Sequence, residues 1–200
     1  MKHPPSVAPS VSRETAERLA LYVDLLKRWN RHINLVARGE TADLESRHVA
    51  DALQLLPLMG NAAGRGADLG TGGGIPGLVL AIASGVPFDL IEADKRKAAF
   101  LREAIRLTAA PATVWCERLE TLAIPPVSLI TARGFAPLSR LLALAERLLA
   151  PAGIFLLLKG RGVDQELTDA NAAWNMRVER FPSQTEAGAS ILRISEVTRV

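Results

Sequence analysis

A chain of 200 residues is long enough for one domain with a real core, or for one domain carrying a helical cap. Its formal charge of +3 is mildly basic and only hints at a polyanionic partner. One cysteine excludes a disulfide framework, three histidines without H-x-x-x-H spacing offer no metal site, and no apolar run reaches membrane-spanning length, so a cytoplasmic protein is expected.

In chain order, residues 1–11 are Pro/Ser-rich and read as a flexible tail, not a signal peptide. Ser12 suits a helix cap. Leu19, Tyr22, Val23, Leu26 and Trp29 then follow at helical spacing. A turn over NRHINLVAR precedes a second expected helix, capped by Thr41, with Leu44, Val49, Leu53 and Leu56 inward and Arg47, His48 and Asp51 near another face. Residues 12–60 thus form a helical cap, and 61–200 an α/β body within one domain. The body predicts strands near 66–70, 88–92, 112–116, 127–133 and 153–159, with helices near 75–84, from Lys95, 137–149 and 163–173. GIFLLLK is a continuous apolar run, as in a strand buried on both faces. Two late strands, near 176–181 and 190–197, are close enough to pair as antiparallel neighbours. Strands alternating with helices argue for a mainly parallel, doubly wound sheet.

The most informative stretch is ADLGTGGGIPG, Ala67 to Gly77. It reads as a strand ending in a tight glycine turn that opens into a helix, with Pro76 in the first helical turn. Such a turn at the carboxyl end of a parallel strand is the usual ligand crevice of open α/β sheets. Two patterns overlap. Gly72, Gly74 and Gly77 satisfy the dinucleotide fingerprint G-x-G-x-x-G, and Asp68, Gly70, Gly72 and Gly74 give an acid-led G-x-G-x-G string. A carboxylate beside the turn opposes a pyrophosphate and suits a cofactor with a cationic end, such as S-adenosylmethionine. Glu92 lies 18 residues past Gly74 and ends the second strand, close to the roughly 20-residue offset of a ribose-binding acid. That feature serves either cofactor.

Further candidates lie at later strand ends. Glu117 to Glu120 follow the third strand, where an adenine edge would sit. Arg133 ends the fourth, with donors suited to a cofactor carboxylate, a guanine edge or a phosphate. Phe135 is placed to stack on a base. Lys159, with Arg161, ends the fifth strand and reads as a phosphate contact. Lys95, Arg96, Lys97, Arg102 and Arg106 extend a basic face that is equally an ordinary solvated helix.

With these residues in hand, the chain resembles the bacterial small-subunit ribosomal RNA guanine-N7 methyltransferase G family, also called glucose-inhibited division protein B. The likeness runs through Trp29-Asn30 with Ile33-Asn34-Leu35, Arg47-His48 with Asp51, the Asp68–Gly77 motif, Glu92 before Lys95-Arg96-Lys97, Arg118-x-Glu120, Ala132-Arg133-x-Phe135-Ala136 and Leu158-Lys159-Gly160. It implies a class I S-adenosylmethionine-dependent methyltransferase fold: Rossmann-like, with a mainly parallel seven-stranded sheet, an antiparallel last strand and an N-terminal helical cap. The implied donor is S-adenosylmethionine. The implied acceptor is a guanine of 16S rRNA near the decoding site, met in the small ribosomal subunit or its assembly intermediate by a monomer. Cofactor contacts are implied at Asp68, Gly70, Thr71, Gly72, Gly74, Ile75, Glu92, Leu119, Glu120 and Arg133, and RNA contacts at Arg47, His48, Phe135, Lys159 and Arg161. Arg133 serves for positioning, with no acid or base needed. Two positions depart from the pattern: Asp51-Ala52 stands where the family has Asp-Ser, and Ala189-Ser190 where it has Arg-His. The rival functions are an NAD-linked oxidoreductase and a non-catalytic RNA-binding module.

Overall fold

The computed structural model describes residues 11–36, 45–60 and 64–200. The 1–10 part of the expected tail, Thr41 and Leu44 lie outside them. Helix α1 spans Arg13–Asn30, and Ser12 caps it, its side chain accepting from the Thr15 amide at 3.1 Å. The second expected helix is not continuous. A π-helical turn over Glu45–Val49 runs into a short α2, Ala50–Leu53, and a 3₁₀ turn over Leu56–Leu58. Pro57 lacks an amide hydrogen, which suits a tight turn better than a helix interior.

The body then alternates: β1 Gly66–Leu69, α3 Gly77–Ser84, β2 Phe88–Ile91, α4 Lys95–Thr108, β3 Ala112–Trp115, β4 Val127–Arg133, α5 Leu138–Ala145, β5 Leu149–Lys159, α6 Val163–Asn171, β6 Trp174–Pro182 and β7 Ser190–Arg199. The sheet order is β3-β2-β1-β4-β5-β7-β6. The first five strands are parallel, and β7 runs antiparallel between β5 and β6. The chain builds outward from β1, then crosses back to lay β4 on its other side, pairing Leu69 with Ala132. That reversal opens a crevice at the carboxyl ends of β1 and β4, the ligand position of such sheets.

One expected boundary moved. The helix drawn to 149 stops at Ala145, a tight turn follows, and β5 starts at Leu149. Its first residues are out of register with β4, between Val127 and Leu129. Pro151 falls in that irregular stretch, where no ladder amide is required.

Two apolar clusters face the sheet from opposite sides. Leu156 joins the one containing Tyr22, Leu26, Leu78 and Phe100, while Phe155 and Leu157 join the one containing Leu141, Leu142 and Trp174. This is the two-residue alternation of a strand with both faces covered. The helical cap lies on the first side. Tyr22 is wholly buried and donates its hydroxyl to the Gly73 carbonyl at 2.6 Å, fastening α1 to the glycine turn.

Candidate active site

The glycine turn is built from its dihedral angles upward. Gly70, Gly72 and Gly74 have φ of 60°, 57° and 92°, a region L-residues rarely adopt. A β-carbon at Gly70 would stand 2.5 Å from the Phe135 ring, so the turn also needs a bare backbone there. Asp68 holds the turn from below. Its Oδ2 accepts from the Thr71 hydroxyl at 2.5 Å and the Gly77 amide at 3.0 Å, and its Oδ1 from the Thr131 hydroxyl at 2.7 Å. Burial raises its pKa to about 6, and these hydrogen bonds oppose a larger rise. Glu92 braces the side, accepting from the Gly72 amide at 3.0 Å and the Asp94 amide at 2.9 Å.

Beside this turn is a hollow of about 300 Å³, lined among others by Gly70, Ile91, Glu92, Leu119, Glu120 and Phe135. Its far wall, the loop after β3, is pinned by Arg147, which donates to the Leu119 and Leu122 carbonyls at 2.7 and 2.8 Å. Apolar walls, a carboxylate at the end of β2 and exposed backbone suit a nucleoside with a hydroxylated sugar.

A second hollow, also about 300 Å³, opens on the other side of Gly134. Arg47, His48, Asp51, Arg133, Lys159 and Ser190 line it. Arg133 Nη1 lies 2.6 Å from His48 Nδ1. A guanidinium only donates, so Nδ1 accepts and the imidazole there is neutral, with its proton on Nε2. Asp51 Oδ2 accepts from the same Nη1 at 3.4 Å. Asp51 Oδ1 accepts from the Thr185 hydroxyl and, at 3.3 Å, from Gln54 Nε2. Gln54 Oε1 in turn accepts from the Gln184 amide at 3.0 Å, and Arg47 donates to Glu186 at 3.0 Å. Cap, β4 and the β6–β7 hairpin therefore meet around one cavity.

The residues expected to bind fall into several groups. Gly70, Glu92, Leu119 and Glu120 line the first hollow. Asp68, Thr71 and Ile75 are buried and brace the turn instead of facing the cavity. Asp68, expected as a cofactor contact, lies wholly buried beneath the turn. Gly72 and Gly74 shape the backbone. Arg133, expected among the cofactor contacts, lines the second hollow, with Arg47 and His48. Phe135, expected to stack on RNA, lies on Gly70 and lines the first hollow. Lys159, expected at a phosphate, has a side chain only 8% exposed and donates to Glu166 at 2.6 Å and the Ala136 carbonyl at 2.9 Å. Its charge is spent inside the protein. Arg161 is exposed, with its side chain against Gly188 in the hairpin.

Sequence reasoning missed Thr131, Gln54, Thr185, Glu186 and Arg147. Their signals are polar residues within apolar or turn-like stretches, which only a spatial neighbour makes meaningful. Ala189 and Ser190 do line the second hollow, but the hairpin reaches the cap through Thr185 and Glu186.

A seven-stranded sheet of this order, with a glycine turn braced by a buried acid and an acid ending β2, defines a class I methyltransferase. Solved structures agree on the fold. The chain is similar to a TehB-like SAM-dependent methyltransferase from Corynebacterium glutamicum, with TM-score 0.60 and 17% identity, covering 90% of this chain and 99% of that one. A SAM-dependent methyltransferase from Aquifex aeolicus gives TM-score 0.60 at 15% identity, covering 86% and 97%. Within that class the chain belongs to the rRNA small subunit methyltransferase G (GidB) family, whose profile matches residues 15–191. It is 53% identical to Ribosomal RNA small subunit methyltransferase G of Granulibacter bethesdensis, over 95% of this chain and 89% of that protein. It is 55% identical to the protein of the same name from Acidiphilium cryptum, over 96% and 95%. Family membership sets aside the dinucleotide reading of the glycine pattern.

Proposed function

We propose that this chain transfers a methyl group from S-adenosylmethionine to N7 of a guanine in 16S rRNA near the decoding site. The observation that carries the reading is a pair of hollows at the end of β4, one lined by Phe135 with bare backbone and acids, the other by Gly134 and headed by an anchored arginine. When bound, S-adenosylmethionine supplies an electrophilic methyl carbon. The chain's own residues do the rest. Gly70, Gly72 and Gly74 let backbone approach the cofactor, with Asp68, Thr71 and Ile75 holding that backbone in shape. Each Glu92 oxygen already takes one amide and keeps a second lone pair for a ribose hydroxyl. Leu119 and Glu120 border the base of the nucleoside.

Guanine N7 carries an in-plane lone pair and no proton, so its alkylation needs no general base. The site has only to hold N7 in line behind the methyl carbon, and orientation of this kind supplies roughly 7–11 kcal/mol of a barrier. Arg133 is fixed through Nη1 by His48 and Asp51, and among the described residues no protein acceptor takes Nη2 or Nε. Those donors suit guanine O6 and steady the charge that develops on the ring. Arg47, paired with Glu186, lines the same opening, and exposed Arg161 by the hairpin is offered for a phosphate. On this reading the chain acts as a monomer in the cytoplasm on rRNA, free or within an assembling small subunit.

The test is methyl transfer from labelled S-adenosylmethionine to deproteinised small-subunit rRNA and to subunit particles, with the product digested and mass-mapped. One new 7-methylguanosine is expected, and an unchanged nucleoside pattern overturns the proposal. Arg133→Lys is expected to slow transfer by about 10²–10³, the loss typical of one charge-stabilising donor. Its S-adenosylhomocysteine affinity, read by calorimetry, should change less than about threefold. A parallel loss of affinity would return Arg133 to the cofactor.

A further inference from the structure

One part of the Trp29–Leu35 stretch has no place in either hollow. At the carboxyl end of α1, residues Arg28, Trp29, His32, Ile33, Arg96 and Ala99 surround a third hollow of about 500 Å³. Its floor is apolar, formed by half-buried Trp29 and Ile33 with Ala99 of α4. Its rim carries two exposed arginines, Arg28 and Arg96, with His32 exposed beside them. The indole is held in place from behind: its ring meets Phe100 edge-on, with centroids 5.8 Å apart and planes at 61°.

The turn after α1 links this hollow to the glycine turn. Asn30 Oδ1 accepts from the Leu35 and Val36 amides at 2.9 and 3.1 Å and so folds the turn after α1 back on itself. Leu35 then packs on the glycine turn, close enough that a β-carbon at Gly73 would stand 3.4 Å from its carbonyl oxygen. Arg96 sits in the first turn of α4, just past Glu92.

The facing charges leave the cations available. Among the described residues, Arg28 Nε donates to the Asp24 carbonyl at 3.4 Å, and Arg96 is 3.9 Å from Asp94 Oδ2. Glu103, the acid on α4 nearest Arg28, is engaged by Arg106 through two bonds of 2.8 Å. Lys95 and Arg102 lie exposed on the same face of α4.

We infer that this hollow docks an unpaired nucleotide of the rRNA outside the methylated base, its ring against Trp29 and its flanking phosphates on Arg28 and Arg96. The chemistry favours a nucleotide over an apolar peptide. A peptide would cover the floor and strand two arginines at its edge, whereas a nucleotide brings a flat apolar face and anionic phosphates together. The inference rests on the rRNA reading above.

The test compares wild type with Arg28→Gln/Arg96→Gln and with Trp29→Leu, using a transcribed small-subunit rRNA fragment that the wild type methylates. The double variant should raise the KM for RNA about tenfold and leave kcat within twofold. The log KM against log salt slope should fall by about 1.4, the value for two single-strand phosphates. S-adenosylhomocysteine affinity should be unchanged in both variants, which certifies the fold. Trp29→Leu should raise KM without altering the salt slope, because it removes stacking and not charge. An unchanged KM and slope in folded variants overturns the inference. So does a defect seen with subunit particles but not with free RNA, which would give the hollow to a ribosomal protein. If the wild type methylates no rRNA, the functional reading itself has failed; if it does and the variants match it, only the docking surface has.

Discussion

Asp68 shows how burial changes what a residue type means. In the linear chain it is an acid heading a glycine string, and a cofactor contact is a natural reading. In the fold it is fully buried with three donors on it. Its folded pKa of about 6 exceeds the ordinary 3.8, so between those values the folded state holds a proton that the unfolded chain releases. Its contribution to stability is therefore full below pH 4 and is lost as pH rises through 6, by up to about 3 kcal/mol. Asp68→Asn removes that titration. Its carbonyl can accept from Thr71 and Gly77 while its amide donates to Thr131. Urea unfolding between pH 4 and 7 should give the variant a flatter stability profile than the wild type, with its relative gain greatest at pH 7. Superimposable profiles would count against the assignment.

At the scale of elements, the end of β5 is held by an ion pair. A lysine closing a strand beside a site invites a phosphate, and the sequence offers no sign of the acid that captures it. Glu166 is seven positions further on, in α6, and also accepts from the Leu138 amide at the start of α5 at 2.8 Å. The pair thus ties β5 to two helices. Lys159→Gln should leave the salt dependence of RNA binding unchanged within about 0.3 of slope, whereas loss of a phosphate contact would lower it by about 0.7 to 0.9. It should destabilise the fold by about 1–3 kcal/mol, read by thermal unfolding, because Glu166 and the Ala136 carbonyl lose their donor. The elements themselves were largely legible, because the body's strands and helices follow local periodicity and punctuation. The stretch over 45–58 was not. Its apolar positions fit a helix, but the π turn and the 3₁₀ turn answer to packing that sets His48 and Asp51 beside Arg133.

Across the whole molecule, the N-terminal cap and the C-terminal hairpin close over the end of β4 like two sides of a clasp. Gln54 and Thr185, 131 positions apart, lie 3.4 Å from one another and share Asp51. Residues in one network couple, so Gln54→Leu and Thr185→Val should not add. A double-mutant cycle in urea is expected to give an interaction energy of about 0.5–3 kcal/mol. Additivity within about 0.3 kcal/mol would mean that the cap and hairpin are held independently. The hairpin matters here even with Ala189-Ser190 at its end, because its hold on the cap comes from the turn and not from those two positions.

Residues near one another in the chain decide backbone conformation, so the first hollow was readable in advance. Glycines that take positive φ, a strand-end acid at Glu92 and a buried apolar run at β5 each announce themselves locally. Availability of charge and direction of side chains are decided by segments far apart. Arg133 faces His48 and Asp51 because the cap returns over β4, Lys159 is neutralised because α6 returns to β5, and Phe135 turns onto Gly70 because β1 and β4 are neighbours. The chemistry a side chain can offer depends on what surrounds it, and that was settled only when the chain folded.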